Sequence, residues 1–146
     1  AELSAGYQPE AFGYQFDFNA VYKYRLDAEA GYDADGWEFT SNVSRAVGPA
    51  SARLQVQYSP DAAGSTRSFT WVEGQVGWDF DDRLNGTAAV GRREQVGAPD
   101  YTGWNAGVTY ALTDALSVDL RYYDTDAETF GEQYKQALVA MIAYDF

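Results

Sequence analysis

Residues 14–25 read YQFDFNAVYKYR, and this stretch decides the fold. Tyr14, Phe16, Phe18, Ala20, Tyr22 and Tyr24 share one parity; Gln15, Asp17, Asn19, Lys23 and Arg25 share the other, interrupted only by Val21. Side chains of a β-strand alternate between two faces, so a period of two sustained this long predicts a strand between an apolar and a polar environment.

The same alternation recurs along the chain. Trp37, Phe39 and Val43 alternate with Glu38, Thr40 and Asn42; Leu54, Val56 and Tyr58 with Arg53, Gln55 and Gln57; Val72, Val76 and Trp78 with Glu73 and Gln75. Further on, Ala88 and Val90 alternate with Thr87, Trp104 and Val108 with Asn105 and Thr109, and Val118 and Leu120 with Ser117 and Asp119. The last such segment sets Leu138, Ala140, Ile142, Tyr144 and Phe146 on one face. Short turns are expected at Gly48-Pro49, Asp81-Asp82-Arg83 and Thr113-Asp114-Ala115, and longer polar loops near residues 27–35, 60–67, 95–101 and 125–133. Eight strands over residues 12–146, with short turns at one end and long loops at the other, predict an all-β, antiparallel up-and-down transmembrane β-barrel. Residues 1–11 are expected to form an arm or partial strand, and ten strands are the alternative count.

Which face points inward separates this expectation from a soluble β-barrel binding module. The polar parity carries small residues, Gly77, Thr87, Gly91, Gly107 and Thr109, interspersed with charges of both signs, which suits a narrow polar lumen. Aromatics gather toward both strand ends, as in the two girdles at membrane–water interfaces. Arg45 and Arg92 fall on the apolar parity near strand ends, where a long cationic side chain reaches the interface. Mean hydropathy is −0.42, which a barrel tolerates because only alternate residues meet lipid. The sequence contains no run of about 18 apolar residues that would make a transmembrane helix. Ala1 is compatible with a terminus left by signal-peptide cleavage.

Composition narrows the function. Net charge is −12, which argues against nucleic acid as a partner. There is no histidine and no cysteine among the 146 residues, so no Ser/His/Asp or Cys/His set can be assembled, and a zinc site lacks its usual ligands. No cofactor, metal site or catalytic set is therefore expected. Asp17, Arg53, Glu73, Asp119 and Arg121 share the polar parity, and a cross-strand charge network filling the lumen is the expectation, since an unpaired buried charge is costly. Gly86 and Ala106, small residues of the apolar parity, and Tyr32, Tyr101 and Phe130 in the long loops form a candidate partner surface. Acidic loops would face the outside.

The terminal Phe146, preceded by Tyr144, Ile142 and Leu138, resembles the C-terminal sorting signal of Gram-negative outer-membrane proteins. The stretches Leu3-Ser4-Ala5-Gly6-Tyr7, Gly48-Pro49-Ala50-Ser51-Ala52, Tyr58-Ser59-Pro60-Asp61, Tyr101-Thr102-Gly103-Trp104 and Tyr123-Asp124-Thr125-Asp126 resemble an uncharacterised proteobacterial outer-membrane family, described as conserved hypothetical. Its members are typically longer, with further strands upstream, so the chain reads as a shortened member. The resemblance implies a cell outer membrane location, with the bilayer and lipopolysaccharide as surroundings, and carries no activity. The resulting expectation is a non-enzymatic structural or accessory barrel that associates with a larger outer-membrane transporter or with itself. A small channel or uptake barrel for a small solute is the alternative.

Overall fold

The computed structural model describes residues 1–26, 33–62 and 67–145. Ten strands form one antiparallel sheet: β1 (Glu2–Tyr7), β2 (Glu10–Ala11), β3 (Tyr14–Tyr24), β4 (Asp35–Val47), β5 (Ala50–Ala62), β6 (Arg67–Asp79), β7 (Leu84–Gln95), β8 (Tyr101–Ala111), β9 (Leu116–Thr125) and β10 (Ala137–Tyr144). Each strand pairs with the next in the chain, except that β1 and β2 both lie along β3. Two short 3-10 turns, Glu128–Phe130 and Glu132–Tyr134, are the helical elements among the described residues.

The strand count is ten rather than eight because residues 2–11 join the sheet. Glu2 pairs with Lys23, Tyr7 with Phe18, Glu10 with Gln15 and Ala11 with Tyr14, all in one continuous register. The segment is thus the first arm of a hairpin, and Gln8-Pro9 interrupts its ladder because proline has no N–H to donate. Pro9 still accepts, its carbonyl taking the Phe16 N–H at 2.9 Å. The connection is the two-residue turn Phe12-Gly13, with φ of 56° and 76°. Positive φ at both positions is the type I′ geometry whose twist matches that of paired strands.

The other short turns fall where the sequence places them. Gly48, with φ of 59°, and Pro49 link β4 to β5. Asp81 caps the β6–β7 turn by accepting from the N–H groups of Arg83 and Leu84, both at 2.8 Å. The Thr113 hydroxyl does the same for Ala115 and Leu116. The expected loop at 60–67 is shorter than predicted. β5 runs on to Ala62 through a register shift between Ser59 and Ala62. Pro60 fits there because a bulge does not require its N–H.

Strands β3–β9 are 10 to 13 residues long. The sheet is not closed: β1 and β10 are its two edges. Every neighbour along the path is antiparallel, and β1 and β10 stand at the ends of a nine-place path. The two edges therefore run in the same direction.

Among the described residues no layer of helix or second sheet covers either face, yet the faces differ in burial. In β8 the residues Trp104, Ala106, Val108 and Tyr110 are exposed, whereas Gly103, Asn105, Gly107 and Thr109 are half-buried; β5 alternates in the same sense from Arg53 to Tyr58. The sheet therefore curls with its polar face inward. Among the described residues only Ala62, Phe69, Ala89 and Ala127 are buried apolar residues.

The strain at Phe12 makes this hairpin improvable. An L-residue with a bulky Cβ pays for the left-handed conformation, which asparagine tolerates. Phe12→Asn is expected to raise stability by about 0.5–1 kcal/mol, read as a higher urea midpoint at unchanged slope.

Candidate functional site

The inward face carries the chemistry that the fold has collected, and its charges form separate groups along the sheet. In β9, Asp119 and Arg121 are two apart on one face and pair at 3.1 Å. Arg121 also donates to Asn105 at 2.8 Å, and Asp119 accepts from the Thr109 hydroxyl at 2.7 Å, so both neighbours on β8 are engaged. Arg53 on β5 and Glu73 on β6 pair at 2.9 Å. Lys23 and Glu38 pair at 2.7 Å, and Gln57 donates to the same carboxylate at 2.8 Å. Asp17 accepts from Asn42 at 3.4 Å. Among the described residues the expected cross-strand contacts are present as separate groups, each joining neighbours along one strand or across adjacent strands.

Toward the long-loop end the inward face is aromatic. Gly91 on β7 and Gly103 on β8 are direct partners. The Trp71 indole lies over this lane, its outer edge 3.6 Å from where a Cβ of Gly103 would stand. A Cβ at Gly91 would overlap the indole. Trp71 reaches Tyr101, 6.0 Å between centroids, and Tyr101 meets Tyr134 edge-on at 5.2 Å. Beside them the Arg93 guanidinium sits 3.7 Å above the Phe69 ring, a cation–π geometry. Phe69 and Trp71 have the parity of Glu73 and Gln75, so the alternation itself carried this signal.

Toward the short-turn end the inward face is hollow. A cavity of about 370 Å³ is bordered by Asp17, Asn42, Ser44, Arg53 and the Gln8-Pro9 break. Asn42 Oδ1 and Arg53 Nε, both on its border, have no hydrogen-bond partner.

Of the candidate partner residues, Ala106 lies on the exposed apolar face. At Gly86 the Phe80 ring occupies the space a side chain would take, 2.8 Å from the position of a Cβ. Tyr101 turns inward onto Trp71 and Tyr134. Phe130 is exposed on the first 3-10 turn. Tyr144 is exposed at the end of β10, while Tyr32 and Phe146 lie outside the described residues. Among the described residues no cluster of three or more Asp or Glu side chains is placed to hold a metal ion.

A family model described as "Bacterial protein of unknown function (Gcw_chp)" matches residues 2–145. The chain belongs to that family. Comparison with curated proteins gives no match.

The inward groups should differ sharply from surface pairs in their effect on stability. Asp119→Ala leaves Arg121 and Thr109 short of an acceptor where both partners of the pair are at most 15% exposed, and should cost about 1–3 kcal/mol. Glu132→Gln, from a pair 52% and 87% exposed, should change stability by less than about 0.5 kcal/mol. Gly91→Val should displace Trp71 and lower the folded fraction, with a shift in tryptophan emission. Equal urea midpoints for all three variants would contradict this reading.

Proposed function

We propose that this member of the Gcw_chp family is a transmembrane β-barrel of a Gram-negative outer membrane, acting as a structural or accessory protein without catalytic activity. The observation that carries the reading is the inversion of the faces. Leu54, Val72, Val76, Val90, Val108, Leu120 and Ile142 are exposed, while Arg53, Glu73, Asp119 and Arg121 are half-buried on the other side. Monomeric soluble proteins rarely expose a contiguous apolar surface of this extent, whereas a membrane barrel requires one.

Other features fit the same environment. A spanning strand needs about 9–11 residues when tilted, and β3–β9 meet that length. Tyr22 and Trp37, 5.2 Å apart, begin an outward aromatic row toward the long loops with Phe39, Tyr58, Trp104 and Tyr122. Tyr14, Trp78, Phe80, Tyr110 and Tyr144 form a second row toward the short turns, and aliphatic residues lie between the two. In lipid the edge groups of β1 and β10 need partners. Since β1 and β10 run in the same direction, a parallel β1–β10 seam would supply them.

The character of the inward face is what supports an accessory role. The aromatic group around Trp71 narrows the inward space at the long-loop end, and among the described residues no catalytic set lines it. A contact through the long-loop end, where Phe130 is exposed, leaves the protein to act on a larger outer-membrane transporter or on a second copy. The cavity beside Asp17, with its unpartnered Asn42 and Arg53 atoms, favours a second reading, uptake or retention of a small polar solute.

Two measurements test the reading. The protein should remain in the membrane fraction through salt and alkaline washes and require detergent for extraction; a monodisperse monomer in buffer alone would overturn it. Purified protein in planar bilayers should give no stable conductance, because a barrel of about eight to ten strands is narrow and the Trp71 group closes its long-loop end. Reproducible single-channel steps would favour the solute reading instead.

A further inference from the structure

The exposed apolar face is not uniform. Two neighbouring grooves, of about 870 and 640 Å³, run across the middle strands of the sheet. Both volumes lie in the range of about 300–1,000 Å³ usual for ligand sites. The grooves share Arg45, Ala52, Val76 and Ala88 along their borders. Alanines make their floor, and Trp78, Phe80 and Val108 wall the first, Leu54 and Val90 the second. Their linings run from β4 to β9 and from β3 to β7, short of the β1 and β10 edge strands.

Arg45 stands where the grooves meet, two residues before the end of β4 and so within the short-turn aromatic row. Its guanidinium donates to the Tyr14 hydroxyl at 3.3 Å and lies 5.0 Å from the Tyr14 ring centroid. Among the described residues it forms no ion pair. Arg92, the other arginine of the apolar face, differs. Near the long loops it is flanked by Asp100 at 3.9 Å and Asp126 at 4.0 Å, and donates to Thr102 at 3.3 Å. In a chain of net charge −12, the cation at the short-turn end is left for an anion from outside.

We propose that this surface binds one glycerophospholipid, its two acyl chains in the two grooves and its phosphate on Arg45. The inference rests on the membrane reading above. Two apolar troughs lying side by side, with one cation at the β4 end of the row they share, match two acyl chains joined at one anionic headgroup, and the aromatic row sets Arg45 at the depth of the phosphates. Tyr14 holds the guanidinium by its hydroxyl and ring face, which leaves other N–H groups free to donate to phosphate oxygens.

The test uses the full chain, delipidated in dodecyl maltoside and titrated with dipalmitoyl phosphatidylglycerol, with native mass spectrometry counting bound lipid. The wild type should retain one lipid per chain. Arg45→Gln should bind about tenfold more weakly, while Arg45→Lys and Arg92→Gln retain the lipid. Ala88→Trp fills the shared floor without touching the cation, and should also lose the lipid; Ala52→Trp serves the same purpose. A heat-modifiable gel shift identifies the folded variants. The proposal is overturned if folded Arg45→Gln and both filling variants bind like the wild type, if the wild type retains none, or if lipid A displaces phosphatidylglycerol from it. A protein cross-link from cysteine at Ala106 that blocks lipid retention would also overturn it. Solubility without detergent would remove the membrane reading itself, a result separable from each of these.

Discussion

An antiparallel strand presents side chains to two sides at once, and among the described residues of this protein no second layer covers either side. Everything else depends on how that constraint is met. The ladder satisfies the backbone from β3 to β9, so the side chains alone decide which way the sheet curls. Charged and amide side chains find partners along their own strand or across a neighbouring one of the same face: Arg121 with Asp119 along β9, Arg121 with Asn105 and Arg53 with Glu73 across strands. Curling toward these groups shortens their separations and dries them. Curling the other way would crowd Trp37, Phe39 and Leu54 together but leave the ion pairs splayed in solvent, where they are worth little.

The glycines of the inward face belong to the same solution. Gly91 leaves the space in which the Trp71 indole lies on its way to Tyr101, where any Cβ would overlap it. The inward face thus has two ends of different character, one aromatic and packed, one polar with unpartnered atoms. The outward face has an asymmetry of its own. Arg92 near the long loops is held by carboxylates, whereas Arg45 near the short turns is offered to whatever surrounds the sheet.

Much of this was legible in the residues. Period-two alternation located β3–β10 and assigned their faces, and Gly48-Pro49, Asp81 and Thr113 marked the turns. Residues 2–11 were harder. Pro9 breaks the ladder, and Phe12-Gly13 lacks the asparagine or aspartate that advertises a type I′ turn. The charged residues were identifiable by parity, but their division into groups needed the register. Arg53 stands opposite Gln75, and Glu73 opposite Gln55, so this pair meets on a diagonal that sequence spacing does not reveal. Tyr101 was read as a loop aromatic because its strand begins there; its parity with Gly103 and Asn105 turns it inward.

The central claim is that the apolar face meets lipid and the polar face does not, and the four tryptophans test it directly. Trp37, Trp78 and Trp104 are 46%, 50% and 40% exposed on the apolar face; Trp71 points inward. Single-tryptophan variants reconstituted into vesicles containing brominated phospholipid should show strong quenching at Trp37, Trp78 and Trp104 and little at Trp71. Equal quenching at all four positions, or quenching at Trp71 alone, would contradict the account.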